Sequence, residues 1–188
     1  MMMKSIASRT LCPLLAAFFV LSPLAFALPS NSGTDPASSV QGPAGAVWKR
    51  FRYDADKFSV EFPAEPQAKP NDGNTGTRYF TSLENDSFAY FVEKAELPPD
   101  LKKTADEIFE GYVNGAAVGT NSKIKSQKPI SLGSHPGREF VLESDTLVMQ
   151  FRLYLLNKTL YQVLVVASKS MASRAEADRF LNSFEFLK

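Results

Sequence analysis

Apolar and polar residues alternate along several short segments of this chain, as they do in strands that bury one face. Within residues 57–63, the apolar residues that share a face are Phe58, Val60 and Phe62. Three further segments show similar alternation with many aromatic residues: residues 48–53, 77–83 and 88–94. Residues 63–75 contain three prolines and the run Asn-Asp-Gly-Asn, which is typical of a loop. The pattern therefore predicts four strands with a loop after the second.

The spacing of apolar residues changes to that of a helix after Thr104. Thr104 and Glu107 form a capping box, and Gly119 ends the segment. The apolar residues between them fall on one helical face: Ile108, Phe109, Tyr112, Val113, Ala116 and Ala117. A second capping box, Ser173 with Glu176, precedes a stripe of four apolar residues: Ala177, Phe180, Leu181 and Phe184. We therefore predict two amphipathic helices.

Four more strands are predicted between the helices, at residues 123–132, 138–143, 147–156 and 160–167. The first is rich in lysine, and a turn at residues 133–137 follows it. The last two are apolar on both faces, so they should be central in a sheet that is covered on both sides. Short connections between the strands favour an antiparallel arrangement. The predicted fold class is α+β, a mainly antiparallel β-sheet with helices packed on it.

The first 46 residues differ in composition from the rest of the chain. Residues 1–27 carry two charges, Lys4 and Arg9, then an apolar run, and end in Ala25-Phe26-Ala27, which predicts a secretory signal peptide cleaved after Ala27. The alternative is a retained anchor, but prolines interrupt the run and roughly 20 apolar residues are needed to span a bilayer. Residues 28–46 predict a flexible Pro/Gly/Ser linker, and residues 47–188 a single domain. We therefore expect an exported protein, periplasmic or secreted.

Composition excludes several classes of function. The 188 residues have a formal net charge of +1, which lacks the strong positive field of a general nucleic-acid-binding protein. Only one His and one Cys are present, so a His dyad, a Cys/His metal cage and a disulfide framework lack their residues. We expect no nucleic acid partner and no cofactor beyond a weakly bound divalent cation.

The order of these features resembles the PsbP-like fold, named after the extrinsic protein of the photosystem II oxygen-evolving complex. The resemblance covers residues 48–188 and depends on four segments: 58–63, 133–137, 161–165 and 183–186. This superfamily includes exported bacterial proteins outside photosynthesis. The resemblance implies an α/β/α sandwich and a non-enzymatic role in assembling, stabilising or accompanying another complex. It does not imply binding to a photosystem.

Side chains capable of chemistry are scattered along the sequence. His135 lies in the predicted turn at residues 133–137, where Gly and Pro neighbours explain its setting, so we assign it no catalytic role. Five carboxylates lie in predicted turns or loops: Asp54, Asp56, Asp72, Glu84 and Asp86. Solvated turns are the preferred interpretation, although these oxygens can also serve a weak cation site. A hydrolase would need two of them in one cleft.

Two groups of basic residues are candidates for binding. Lys123, Lys125, Lys128 and Arg138 can form a docking patch for an acidic partner or an anionic lipid surface. The preferred alternative is an edge strand whose lysines prevent aggregation. The second group is interleaved with aromatic residues around Trp48, and consists of Lys49, Arg50 and Arg52. An exported protein rarely meets nucleic acid, so we do not interpret this group as a nucleic-acid site.

These observations favour a non-catalytic accessory or binding protein that assists the assembly or stability of an envelope or membrane-associated complex. We expect a monomer with a protein partner and with peripheral membrane contact as an option. One alternative is a carrier of a small apolar ligand in a helix-to-sheet cleft beside Phe109 and Tyr112. A less favoured alternative is the carboxylate-based hydrolase.

Overall fold

Ten strands and two helices make up the part of the chain that the computed structural model describes, residues 47–70, 76–82, 88–170 and 174–188. The strands are β1 (Lys49–Tyr53), β2 (Phe58–Phe62), β3 (Gln67–Pro70), β4 (Thr77–Ser82), β5 (Phe88–Glu96), β6 (Lys123–Leu132), β7 (His135–Glu143), β8 (Leu147–Leu156), β9 (Thr159–Ser168) and β10 (Glu185–Phe186). The helices are α1 (Ala105–Gly119) and α2 (Arg174–Ser183). The predicted signal peptide and linker lie outside the described residues and stay predictions.

The strands form two antiparallel sheets. The large sheet has seven strands in the order β3-β4-β5-β9-β8-β7-β6, and the small sheet has three in the order β1-β2-β10. The two strands that are apolar on both faces, β8 and β9, lie in the interior of the large sheet, as predicted. The lysine-rich strand β6 is an edge strand, which confirms that part of the prediction as well.

Helix α1 covers one face of the large sheet. Its first turn is stabilised by the predicted capping box, in which Glu107 N donates to Thr104 Oγ1 at 3.3 Å and Thr104 N donates to Glu107 Oε2 at 2.8 Å. The buried side of α1 packs on residues that alternate along β7 and β8: Phe140, Leu142, Met149, Phe151 and Leu153. Because successive side chains of a strand point to opposite faces, the intervening residues are left for the other side of the sheet.

The small sheet and α2 together cover that other face. Phe58, Val60 and Phe62 of β2 are completely buried there, as the alternation predicted. They pack with α2 residues Phe180 and Leu181 against a row of large-sheet residues: Phe88, Tyr90, Val92, Tyr161, Val163 and Val165. The architecture is therefore an α+β sandwich with α1 on one face and the small sheet plus α2 on the other.

The structure corrects three details of the sequence prediction. Strand β3 lies within the predicted loop 63–75; all four of its residues are exposed, so no apolar alternation marks it, and an edge strand tolerates proline. Helix α2 ends at Ser183, and β10 follows it, pairing Glu185 and Phe186 with β2. The predicted turn 133–137 shrinks to two residues because Leu132 pairs with His135, which is possible since Gly133 has φ of 61°. His135 therefore opens β7.

Candidate interaction surface

The lysines of β6 lie along the exposed edge of the large sheet. Lys128 is paired in register with Glu139 of β7, and Lys123 with Glu143. Glu139 and Glu143 alternate with the core residues Phe140 and Leu142, so the two carboxylates face the α2 side. The register of β6 shifts between Ile124 and Ser126, which makes Lys125 the bulged residue. The structure therefore brings the three lysines of the predicted patch together on this edge.

These lysines share their carboxylate partners with other cations. Glu143 pairs with Lys125 at 3.6 Å and with Lys169 at 2.8 Å. Glu139 pairs with Lys128 at 2.8 Å and with Arg152 at 2.8 Å. The five cations of this set outnumber its two carboxylates. We call the set the basic edge cluster; it consists of Lys123, Lys125, Lys128, Arg152, Lys169, Glu139 and Glu143.

The same contacts lower the pKa values of both glutamates. Hydrogen bonding from Lys169 is the largest influence on the pKa of Glu143, followed by burial, which opposes it, and by the charge of Lys125. Burial would raise the pKa of Glu139, but hydrogen bonds from Lys128 and Arg152 reverse this and lower it. Both carboxylates are therefore held in the charged form that the surrounding cations favour.

Arg152 connects the basic edge cluster to α2. Its Nη1 donates to the carbonyl oxygen of Leu181 at 3.0 Å and to Asn182 Oδ1 at 2.8 Å, while its Nε donates to Glu139. The guanidinium thus bridges the large sheet and the last turn of α2. Because a planar guanidinium donates in fixed directions, these bonds orient Glu139 towards Lys128.

Arg138, the fourth residue of the predicted patch, lies on the opposite face of the sheet. It alternates with Glu139 in β7, and its Nη2 donates to Asp106 Oδ1 of α1 at 2.8 Å. Its side chain is only 13% exposed. Arg138 therefore helps to attach α1 to the sheet and is separated from the three lysines.

The edge of β6 carries the features that protect natural sheets from strand addition. The bulge between Ile124 and Ser126 interrupts the regular hydrogen-bond ladder of this edge, and so does Pro129, which has no N–H to donate. The three lysines would place positive charge beside any added strand. The edge-protection interpretation of the lysines fits this geometry. A partner of β6 is consequently expected to bind through side chains rather than by adding a strand.

The second basic group is divided by the small sheet. Phe51 and Tyr53 of β1 pack against the core, whereas Arg50 and Arg52 point outward. Arg50 bonds to Glu185 at 3.1 Å and to the carbonyl oxygen of Ser183 at 3.2 Å. Its guanidinium therefore links β1 to the residues that end α2 and form β10. Arg50 and Arg52 therefore lie on the face of β1 opposite to Phe51 and Tyr53.

Of the candidate carboxylates, Asp54 and Asp56 lie within the described residues. Asp54 is 71% exposed and pairs with Arg52 at 2.7 Å. Asp56 is 14% exposed; its carboxylate accepts hydrogen bonds from the Tyr79 hydroxyl and, at 3.3 Å, from Lys94 Nζ. Asp72, Glu84 and Asp86 lie outside the described residues. Across the described ranges, no group of three or more His, Cys, Asp or Glu side chains is arranged to hold a metal ion.

The remaining candidates lie in the packing of the fold. His135 contacts Phe186 edge to face at 5.1 Å between ring centroids, beside the end of the small sheet. Phe109 and Tyr112 are buried in the core beneath α1, and the ring centroids of Tyr112 and Phe140 lie 6.4 Å apart. Their rings fill the interface between α1 and β7, at the place where sequence reasoning expected an apolar cleft.

Sequence reasoning missed a polar group on the α1 side of the large sheet. Arg78 of β4 donates to Glu93 of β5 at 2.5 Å, and Glu93 is paired in register with Gln162 of β9. Burial raises the pKa of Glu93, and the charge and hydrogen bonding of Arg78 offset it only in part. The available signal was Gln162 itself, a polar residue within an otherwise apolar run in β9.

Within residues 47–70, 76–82, 88–170 and 174–188, no helix is both long enough and apolar enough to cross a membrane.

No protein-family model matches the sequence, and no curated protein matches it either. Among solved structures, the chain is similar to cyanobacterial PsbP (CyanoP) from Synechocystis sp. PCC 6803, with a TM-score of 0.57 and 12% identity over 81% of this chain and 99% of that one. It also matches a Bacteroides thetaiotaomicron structure with a TM-score of 0.45, at 11% identity over 74% of this chain and 48% of that one. A protein of unknown function from Pseudomonas aeruginosa matches with a TM-score of 0.39, at 8% identity over 70% and 90%. The chain has a PsbP-like fold, as the resemblance implied.

Proposed function

We propose that this chain is an exported, non-catalytic accessory protein that binds an acidic surface of a partner protein in an envelope or membrane-associated complex. The observation that carries the proposal is the basic edge cluster, in which Lys125, Lys128, Lys169 and Arg152 share two carboxylates of β7 beside the exposed edge strand β6. The PsbP-like fold supports a non-catalytic accessory role.

The charges of the cluster favour an anionic partner because its cations are incompletely neutralised by Glu139 and Glu143. Each glutamate already contacts two cations, and these contacts lower its pKa and keep it ionised. Carboxylates of a partner can complete the coordination of the lysines, and such contacts mainly increase the association rate. The interrupted edge of β6 disfavours a partner strand, which leaves side-chain contacts as the mode of recognition.

The test is crosslinking in cells followed by affinity capture of a C-terminally tagged full-length chain, with mass spectrometry of the eluate. We expect one complex to be recovered in stoichiometric amount. The variant Lys123→Gln/Lys125→Gln/Lys128→Gln should lose most of this recovery. Raising the salt concentration should weaken binding in the same way, because the Debye length falls from about 10 Å at 0.1 M to about 3 Å at 1 M.

The matched control is Lys102→Gln/Lys103→Gln/Lys188→Gln, which removes the same charge at exposed positions outside the cluster. Equal recovery by the two triple variants would contradict the proposed surface. Recovery of the chain alone would contradict the accessory role itself. The same mass spectra test export, since a mature N-terminus at Leu28 is expected from cleavage after Ala27.

A further inference from the structure

Strand β1 forms one edge of the small sheet, and this edge is regular. Its five residues pair with β2 in unbroken register, from Lys49 with Phe62 to Tyr53 with Phe58. Successive N–H groups of a strand point to alternate sides, so every second N–H and C=O of β1 points away from β2. Within the described residues, no other strand pairs with that side. Strand β1 therefore presents a row of main-chain donors and acceptors to one more strand.

The other edge strands that the structure describes carry features that prevent strand addition, which β1 lacks. Strand β6 has a bulge and a proline, β3 ends in Pro70, and β10 has only two residues. Strand β1 has neither a proline nor a bulge. Arg50 does not shield its edge, because the guanidinium reaches back over β2 to Glu185 of β10 at 3.1 Å. Among the described edges, β1 is therefore the one suited to strand addition.

The large sheet continues below the free edge of β1 and is uncovered there. Phe186 of β10 contacts His135 of β7, whereas Tyr53 of β1 packs on Tyr79 of β4, with ring centroids 3.9 Å apart. The small sheet therefore extends across the large one towards β3. Ala68 of β3 pairs in register with Tyr79 and faces the same side, yet it is exposed. A strand added to β1, about 4.8 Å away, lies over this surface, so its inward side chains must be apolar.

The outward face of β1 is basic beside the free edge. Arg50 and Arg52 alternate with core-packed residues and point away from the large sheet. Arg52 is 61% exposed and pairs with Asp54, which follows the strand. Glu61 and Glu185, the carboxylates that contact Arg50, lie on β2 and β10, further from the free edge. The charges directly opposite the outward positions of an added strand are therefore positive.

We infer that the free edge of β1 binds an extended segment of a partner polypeptide in which acidic residues alternate with apolar ones. The acidic side chains lie beside Arg50 and Arg52, where opposite charges on neighbouring strands are stabilising. The apolar side chains pack on Tyr79 and Ala68. A second copy of β1 is disfavoured, because an antiparallel pair centred on Phe51 sets Arg50 against Arg52. In this mode of recognition, main-chain hydrogen bonds supply affinity and the alternate side chains supply specificity.

The inference does not rest on the proposed function. Strand β1 overlies β4, whereas the basic edge cluster follows β6 at the opposite edge of the seven-stranded sheet. The variant Lys123→Gln/Lys125→Gln/Lys128→Gln separates the two surfaces. It should lose capture of the complex and still bind a segment at β1 as the wild type does.

The experiment is an amide NMR titration of the chain with three synthetic peptides at millimolar concentration. The first, acetyl-Val-Glu-Val-Glu-Val-amide, has the inferred pattern. The second has Lys in place of both Glu, and the third carries N-methyl groups on its three central residues, which removes their N–H donors. The first peptide is expected to shift signals of β1 and β4 and to slow hydrogen exchange at every second amide of β1. The other two should bind about tenfold more weakly.

Arg52→Glu tests the charge preference from the side of the protein. Because Arg52 is largely exposed, this variant is expected to fold, which the dispersion of the same spectra verifies. It should bind the glutamate peptide about fivefold more weakly than the wild type and the lysine peptide more tightly by a similar factor.

Several results would overturn the inference. Shifts that avoid β1, or equal binding of the N-methylated peptide, would remove strand addition at this edge. Equal binding of the glutamate and lysine peptides would remove the charge preference. If every second amide of β1 is already protected in the free chain, the edge belongs to another segment of this chain, such as residues 28–46. Protection that appears only as the protein concentration rises would assign the edge to a second copy.

Discussion

Lys94 Nζ donates to Asp56 Oδ1 across 3.3 Å, and this bond ties the β1–β2 turn of the small sheet to β5 of the large one. The Tyr161 hydroxyl donates to the carbonyl oxygen of the same aspartate at 2.9 Å. Asp56→Asn should lower the free energy of unfolding by about 1–3 kcal/mol, because the Lys94 ammonium loses the charge of Asp56 in a largely buried site, while its contact with Glu96 at 3.4 Å remains. Urea unfolding measures this change.

Asp54→Asn is the matched control, since this aspartate lies in the same turn but is exposed and pairs with Arg52. Its unfolding midpoint should stay close to that of the wild type. If the two variants unfold alike, the Asp56 contacts do not hold the small sheet in place.

All six tyrosines of the chain have raised pKa values, and burial is the largest cause for each: Tyr53, Tyr79, Tyr90, Tyr112, Tyr154 and Tyr161. Unfolded tyrosine ionises near pH 10, whereas the pKa of Tyr53 is raised to about 12. The stabilisation is therefore intact below about pH 10 and is lost as the pH rises through the folded-state values. We expect tyrosinate absorbance to appear together with the loss of circular dichroism. A tyrosinate signal near pH 10 in a fully folded chain would disprove this.

Glu139→Gln should destabilise the chain at neutral pH by about 1 kcal/mol, because Lys128 and Arg152 both lose an ionised partner in a partly exposed site. The lowered pKa of Glu139 makes this stabilisation present above the carboxyl's unfolded value of about 4.3 and absent once the pH falls through the folded value. Urea unfolding at about pH 7 and about pH 3 should show the difference shrinking in acid.

Glu110→Gln removes an exposed carboxylate of α1 and serves as the control for this pH dependence. Its stability relative to the wild type should change little between the two pH values. A difference for Glu139→Gln that persists in acid would assign its effect to packing rather than charge.

Gly137→Ala should cost about 1–3 kcal/mol, because a side chain at this position of β7 has no room. Its Cβ would lie 2.4 Å from the carbonyl oxygen of Leu153 and 2.8 Å from Tyr154 Cδ1. Gly115→Ala is the opposite case, since its Cβ would meet no atom within 4 Å on α1, and helix propensity predicts a gain of about 0.5–1 kcal/mol. Thermal unfolding of both variants measures the contrast, and a shift of equal sign for the two would refute it.

Local patterns predicted the elements whose residues carry their own signal. The alternation of Phe58, Val60 and Phe62 identified β2, and the pair Thr104 and Glu107 marked the start of α1. Strand β3 carries no such signal because it is exposed on both faces, and β10 has only two residues. Their places are decided by pairing with partners elsewhere in the chain.

The candidate sites likewise depend in part on strand pairing that local sequence patterns do not show. The lysines of β6 are close in sequence, so their shared edge was predictable, but the faces of Arg138 and Lys128 depend on strand register. Glu93 and Gln162 are far apart in the sequence and become neighbours only through the pairing of β5 with β9. Single-sequence periodicity specifies the face of a residue within its own strand, whereas the pairing of Glu93 with Gln162 depends on the order of strands.

Strand β2 has one partner that precedes it in the chain, β1, and one that follows it after more than a hundred residues, β10. Leu187 N also donates to the carbonyl oxygen of Lys57 at 2.9 Å, which extends this contact beyond the strand. A ribosome synthesises residues 58–62 long before residues 185–187, so the small sheet stays unfinished until β10 has been made. Closing so long a loop is entropically slow. Since β9 ends at Ser168, every strand of the large sheet has been synthesised before the small sheet can close.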